Sequence, residues 1–378
     1  MTSKEIECRV KAISSTKRIL LKVGTRLLTD ESQIPHLMFQ IHKLRQCGYE
    51  VILVSSGAVG LGLKTIGLSK RPHQLSKKQA LASVGQGRLM RVYEDAAAKY
   101  GFCVGQLLLS RPGLEDRECS LNMLNCINEL LAYNVLPIIN ENDSVSIEEL
   151  TFGDNDTLGA LVASITQCKL MIILTTVDGL YNVENGKFTN RISLVEALTE
   201  DIISLAGGTD DANNSIGGMA SKLRAAEIAA SSGNYLWIIS GKELANLEKA
   251  MNGDEIGTLF VPPEKRKLTH KKCWLSFFTR TRGKILLDKG ASEAVSLSGK
   301  SILPSGIKSI DGDFKRGDAV EIISNDNSII AKGLVNYKAS ELKKIIGLQT
   351  HFIQQVLGYQ GDDEVVHRDN LVLSKIKY

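Results

Sequence analysis

Six short apolar runs alternate with segments of helical period, and this alternation limits the possible folds more than any other feature. The runs are Arg18 to Val23, Val51 to Val54, Cys103 to Leu109, Val135 to Ile139, Lys169 to Thr175 and Tyr235 to Ile239. The helical segments are Ile34 to Cys47, Lys77 to Tyr100, Ser120 to Ala132 and Met219 to Ser231. Strands that alternate with helices predict an α/β domain, with a mostly parallel sheet covered by helices on both faces. We place it at residues 17–262, after a solvated extension over residues 1–16.

A chain of 378 residues is long enough for two domains. The pattern changes near Val261-Pro262-Pro263, where helical period fades. Short runs at Lys284 to Asp288, Ala319 to Ser324 and Ile329 to Leu334 are separated by Gly, Asp and Asn, with one helical stretch near Ala339 to Ile345. This predicts a mostly-β second domain over residues 281–370, a linker at 263–280 and a tail at 371–378.

The formal charge of +4 is small for this length and does not demand a nucleic-acid partner. From Thr281 onward, 14 Lys and Arg face 12 Asp and Glu. The linker is different: Lys265, Arg266, Lys267, Lys271, Lys272, Arg280, Arg282 and Lys284 interleave with Trp274, Phe277 and Phe278. Such a pattern can track single-stranded RNA. The plainer reading, a solvated linker whose aromatics pack between domains, is favoured. The seven cysteines include no CxxC pair and fit a reducing cytosol. The N-terminus lacks a signal-peptide core, and no apolar run is long enough to span a bilayer. A cytoplasmic protein is expected.

Neither GxxxxGK[ST] nor a strand-following GxGxxG occurs, so phosphate binding falls to other glycine turns. Lys22-Val23-Gly24-Thr25 closes the first run, at the sheet edge where open α/β sheets bind ligands. Ser55-Ser56-Gly57-Ala58-Val59-Gly60-Leu61-Gly62 follows the second and offers a nest of backbone N–H donors. Gly217-Gly218-Met219-Ala220-Ser221-Lys222 opens an Ala-rich helix, whose N-terminus favours anions. Each also has a plain structural reading: an ordinary β–α turn, close helix packing, or a loop before a surface helix. A fourth segment, Asn140-Glu141-Asn142-Asp143 and then Gly153-Asp154-Asn155-Asp156, suits a hairpin over a small zwitterion. It lacks the spacing of a calcium loop.

These parts fit transfer of a phosphoryl group to a carboxylate. A carboxylate is ionised at neutral pH and needs no general base. Catalysis then reduces to positioning and charge neutralisation, by two lysines and Mg²⁺.

The chain resembles the glutamate 5-kinase family over nearly all of residues 18–370, through LLKVGTRLLT, SSGAVGLG, ASVGQGRLM, VGQLLLSR, EDRE, LPIINENDSV, GDNDTLGALVA, DGLY, GGMASK and GTLF. The resemblance implies a three-layer α/β/α sandwich of the amino-acid-kinase type and a C-terminal PUA domain, matched by ILPSGIKSIDGDFKRGDAVEI and VVHRDN. It implies ATP and L-glutamate as substrates, Mg²⁺, proline as an inhibitor and a homo-oligomer. Lys22 and Lys222 would stabilise the transferring group, and Asp156 would hold both lysines. Ser56, Asp143 and Asn155 would bind glutamate, with Asn140 and Asp154 nearby. ATP would lie against Lys22, Gly24, Thr25, Gly57, Thr175, Thr176, Ile216, Gly217, Gly218, Met219, Ala220, Ser221 and Lys222. Arg26, Thr176 and Ile216 depart from the family pattern, the last two on the nucleotide side. Related kinases accept aspartate, N-acetylglutamate, carbamate or UMP. The clusters at Asn140–Asp143 and Gly153–Asp156 argue for a free amino acid, and the C-terminal module for glutamate. His367-Arg368-Asp369 matches only the first letters of the protein-kinase catalytic loop, with no DFG after it.

Overall fold

The computed structural model describes the chain except for residues 29–30, 146–154, 185–186, 206–217, 244, 265–267, 278 and 375–378. It forms two compact units that divide between Lys267 and Leu268.

The first unit is built on β1 (Arg18–Val23), β2 (Glu50–Val54), β3 (Val104–Leu109), β4 (Leu136–Glu141), β5 (Leu170–Thr175), β8 (Leu194–Val195), β9 (Tyr235–Ser240) and β10 (Thr258–Phe260). Strands β6 (Leu180–Glu184) and β7 (Lys187–Ile192) form a separate hairpin. The sheet order is β3-β4-β2-β1-β5-β9-β10-β8. Strands β3 through β9 in that order run parallel, and β10 is antiparallel to β9. All but the first residue of β1 are buried, as the apolar composition of a central parallel strand requires. β3, at the sheet edge, is only partly covered.

The helices are α1 (Ser3–Ser14), α2 (Thr25–Leu28), α3 (Gln33–Gln46), α4 (Ala58–Ile66), α5 (Leu75–Ala98), α6 (Arg111–Glu115), α7 (Arg117–Ala132), α8 (Asn155–Ile165), α9 (Glu200–Ser204), α10 (Met219–Ser231) and α11 (Ala245–Met251). Side chains alternate across a strand. Ile19, Leu21 and Val23 of β1 therefore join the core with α3, α5 and α11, including Ile34, Leu37, Leu89 and Leu247. Leu20 and Lys22 face the opposite side, against α8. Gly159 lets α8 lie close there: a Cβ on it would come within 2.7 Å of Met171 Cε and 3.7 Å of Lys22 Cβ. Asp156, one helical turn earlier on the same face, is thereby brought to Lys22.

The N-terminal segment is not a solvated extension. Thr2 and Glu5 form a capping box that starts α1, and Arg9 and Ala12 are buried. Polar residues hid a helix whose one inward face carries an arginine.

The second unit contains β11 (Thr281–Leu287), β12 (Ile307–Gly312), β13 (Ala319–Ile323), β14 (Ile329–Leu334) and β15 (Leu371–Leu373), in the order β12-β11-β13-β14-β15. It also has α12 (His270–Phe277), α13 (Lys289–Ser298), α14 (Ala339–Ile345) and α15 (Ile353–Leu357). α12 corrects the linker reading. Its Leu275 is fully buried with Ala319 and Val372, and Trp274 packs against them. Among the described residues no helix is long and apolar enough to cross a membrane.

Candidate active site

Strands β4, β2, β1 and β5 are neighbours and point their carboxyl ends the same way. A cleft of about 780 Å³ opens at those ends. It is lined by Lys22, Gly24 and Thr25 after β1, Ser56 and Gly57 after β2, Asn140 on β4 and Thr175 on β5. Asp143, Asn155, Thr176, Gly218, Met219 and Lys222 also line it. An open parallel sheet binds ligands at this edge.

One carboxylate holds two of the lysines that line the cleft. Asp156 Oδ1 lies 2.5 Å from Lys22 Nζ, and Asp156 Oδ2 lies 3.0 Å from Lys222 Nζ. Asp156 is fully buried, while the lysines are 5% and 4% exposed. Burial alone would raise the Asp156 carboxyl, but the two ammonium groups outweigh it and hold it below the usual carboxylate range. Ser221 Oγ lies 2.8 Å from the Gly218 carbonyl and 3.2 Å from Asp156 Oδ2, with one proton to share between them. A buried ionic triad is a poor way to stabilise a fold, because desolvation offsets its attraction. Two cations presented to a cleft are a good way to receive an anion.

A second network lies beside it. The two N–H groups of Asn155 Nδ2 are shared among the Ser55 carbonyl at 2.7 Å, Ser56 Oγ at 2.9 Å and Asn140 Oδ1 at 2.9 Å. Asn140 Nδ2 donates in turn to Gln86 Oε1 at 2.9 Å. Asp143 is partly buried, and that burial raises its carboxyl while Arg71 acts to lower it. Asp154, Ile216 and Gly217 lie outside the described residues.

The glycine turns divide by role. Gly57 sits in the left-handed region at φ 97° and starts α4 without a side-chain cap. Gly218 starts α10, also without a side-chain cap. Two helix N-termini thus lie near the cleft without a side-chain cap among the described residues, an arrangement that favours phosphate. Gly62 serves packing instead: a Cβ on it would come within 1.9 Å of the Leu81 carbonyl oxygen of α5.

Sequence reasoning assigned no role to one wall of the cleft, which contains Val177, Asp178, Leu180, Tyr181, Phe188 and Leu205. Tyr181 and Phe188 meet edge-on at 6.0 Å across the β6–β7 hairpin. Asn185-Gly186, between two alternating segments, was the available hairpin signal. Arg26, unassigned between phosphates and solvent, is exposed and lines the cleft. His367 lies in the second unit, where its Nδ1 accepts from the Asp369 N–H at 3.2 Å.

Residues 17–240 match the amino acid kinase family, and residues 283–357 match the PUA domain. A glutamate 5-kinase from Syntrophotalea carbinolica is 45% identical over 370 residues, covering 96% of this chain and 99% of that one. A glutamate 5-kinase from Synechococcus elongatus is 43% identical over 368 residues, covering 95% of this chain and 100% of that one. Among solved structures, a carbamate kinase from Giardia lamblia bound to AMP-PNP matches 66% of this chain and 100% of its own, at 20% identity and a TM-score of 0.47.

Proposed function

This chain belongs to the glutamate 5-kinase family, and we propose that it transfers the γ-phosphoryl group of ATP to the side-chain carboxylate of L-glutamate. The observation that carries this reading is the Asp156 carboxylate bridging Lys22 and Lys222 at the edge of the cleft.

The acceptor carboxylate, ionised at pH 7, attacks the γ-phosphorus, and the bond to the β,γ-bridging oxygen breaks to release ADP. Lys22 and Lys222 neutralise charge on the transferring group, and Asp156 fixes where their ammonium groups stand. The uncapped start of α10 and the turn after Lys22 receive the nucleotide phosphates. The wall of Tyr181, Phe188 and Leu205 provides an apolar face for the base. Asp143 and Asn155 hold the glutamate ammonium, and Ser56 offers its hydroxyl proton to a carboxylate.

The described residues contain no group of three metal-ligating side chains, and Asp156 is engaged by lysines. Mg²⁺ would enter with the nucleotide phosphates and would supply charge neutralisation there, beside Lys22 and Lys222.

Hydroxylamine trapping tests the reaction. A glutamate- and ATP-dependent hydroxamate is expected, and a signal with aspartate but none with glutamate overturns the reading. Proline shares glutamate's α-carboxylate and cationic α-nitrogen, so it is proposed to compete at Asp143 and Asn155. Inhibition that saturating glutamate leaves unrelieved would place proline elsewhere.

A further inference from the structure

Two backbone groups settle the orientation of every amide in the network beside Asp156. The Glu141 N–H donates to Asn140 at 3.0 Å, so the atom it meets is Oδ1. The Ser55 carbonyl accepts from Asn155 at 2.7 Å, so that atom is Nδ2. These assignments agree where the two side chains meet, Nδ2 to Oδ1, at 2.9 Å. Asn140 must then present Nδ2 to Gln86, and Gln86 must answer with Oε1.

This order decides what the cleft offers a ligand. Asn155 shares its two N–H groups among the Ser55 carbonyl, Ser56 Oγ and Asn140 Oδ1, which leaves its carbonyl oxygen as the acceptor. Ser56 Oγ already accepts from Asn155, so its own proton remains to be donated. A hydroxyl donor beside an amide oxygen and the Asp143 carboxylate suits an anionic group next to an ammonium.

Gln86 is the far end of this chain of bonds. It is only 9% exposed and does not line the main cleft. It reaches Asn140 because α5 touches α4 backbone to backbone. A Cβ on Gly85 would come within 1.8 Å of the Ala58 carbonyl oxygen. Its Nε2 is buried without a hydrogen-bond partner among the described residues, and the residue lines a neighbouring chamber of about 330 Å³. Its contribution to the network therefore passes through Oε1 alone.

We infer that Gln86 is a positioning residue for glutamate, holding Asn140 and through it Asn155 and Ser56 in the polarity that reads an α-amino acid. The inference rests on the glutamate kinase reading above. Gln86→Met keeps the volume and removes the acceptor. It strands Asn140 Nδ2 in a buried site and loosens Asn155. Loss of one such buried hydrogen bond should raise the glutamate KM roughly tenfold, with the ATP KM within about twofold of wild type. Gln86→Glu offers Asn140 an acceptor whether ionised or protonated, and no described group uses the lost Nε2. It should return the glutamate KM to within about threefold of wild type.

Steady-state kinetics on the purified full chain decides. Three results overturn the inference: Gln86→Met with wild-type glutamate KM, Gln86→Met with both KM values raised together, or Gln86→Glu no better than Gln86→Met. If Gln86→Met does not fold, Gln86→Leu carries the same expectations. Wild-type protein that makes no hydroxamate from glutamate overturns the proposed function instead, before any variant is compared.

Discussion

The first unit buries cations at two places and satisfies them in opposite ways. Lys22 and Lys222 share the Asp156 carboxylate beside a cleft of about 780 Å³. Arg9 is fully buried and meets no carboxylate among the described residues. It donates instead to the Asp254 and Ile256 carbonyls at 3.0 Å each, to the Ser193 carbonyl at 3.3 Å and to Ser193 Oγ at 2.8 Å. Its guanidinium also lies 4.8 Å from the centre of the Trp237 ring. Carbonyls, a hydroxyl and an aromatic face engage both terminal nitrogens, while Nε has no partner among the described residues, and the result is a clasp that ties α1 to the β8–β10 edge. The lysines bring more positive charge than one carboxylate cancels, and they face space for a ligand. Burial of a charge is therefore not itself a sign of chemistry. What separates the two is whether the charged groups face the protein's own acceptors or a space for a ligand.

The sharpest test is Lys222→Ala. If the lysine acts on charge that develops during transfer, kcat should fall roughly 10³-fold while the glutamate KM changes little. Steady-state kinetics with normal kcat and a raised KM would break the comparison, making Lys222 a binding group only.

Asp156→Ala is next. It leaves two buried lysines without their shared counter-ion, at a cost of about 3–5 kcal/mol in unfolding free energy. Thermal unfolding should show a loss of roughly 10 °C for a unit of this size. The pH dependence has a definite sign. The Asp156 carboxyl is held below its usual range, so its stabilisation is present above the unfolded pKa and lost as pH falls through the folded one. The gap between wild type and variant should be widest near pH 7 and narrow below about pH 4. A gap independent of pH would mean that packing, not charge, was lost.

Arg9→Met probes the other side. Several charge-assisted bonds go and their carbonyls are left buried, costing about 2–3 kcal/mol. Tm should drop by roughly 5–10 °C, with kcat at the permissive temperature within about twofold of wild type. A large fall in kcat without loss of stability would erase the distinction.

How much of this was legible follows the same division. β1 was read to the residue, because an apolar run with one lysine before a glycine has few other uses. The start of α8 was not. Gly153-Asp154-Asn155-Asp156 reads as an acidic loop, and only Lys22 and Lys222, distant in sequence, make a buried carboxylate there tolerable. α12 read as a basic linker, since Leu275 and Trp274 gain their meaning only from strands that follow. Gln86 lies in the quoted ASVGQGRLM segment, but nothing local set it apart from its helix. Its place depends on Gly62 and Gly85 removing side chains between two helices, a tertiary fact that periodicity does not encode.

Asp143 sharpens the comparison at its weakest end, because it is a half-buried carboxyl with no salt bridge among the described residues. Burial raises its carboxyl, and Arg71 only partly opposes this. A carboxylate whose folded pKa is raised costs stability when ionised. That cost is fully present above the folded pKa and is relieved as pH falls through it toward the unfolded value. Asp143→Asn should therefore raise the Tm of the ligand-free protein at pH 7 by roughly 1–2 °C, and the gain should fade toward pH 4. If Asp143 holds the glutamate ammonium as proposed, the same change removes its charged partner, and the glutamate KM should rise about 10- to 100-fold and proline inhibition weaken with it. Unfolding curves at several pH values, paired with kinetics, check both halves. A variant that is less stable at pH 7 would show that Asp143 braces its loop. One that binds glutamate and proline as wild type does would show that the ammonium is held elsewhere. Stability gained together with affinity lost is the signature of a charge kept ready for a ligand, which Arg9, held by carbonyls away from the cleft, cannot show.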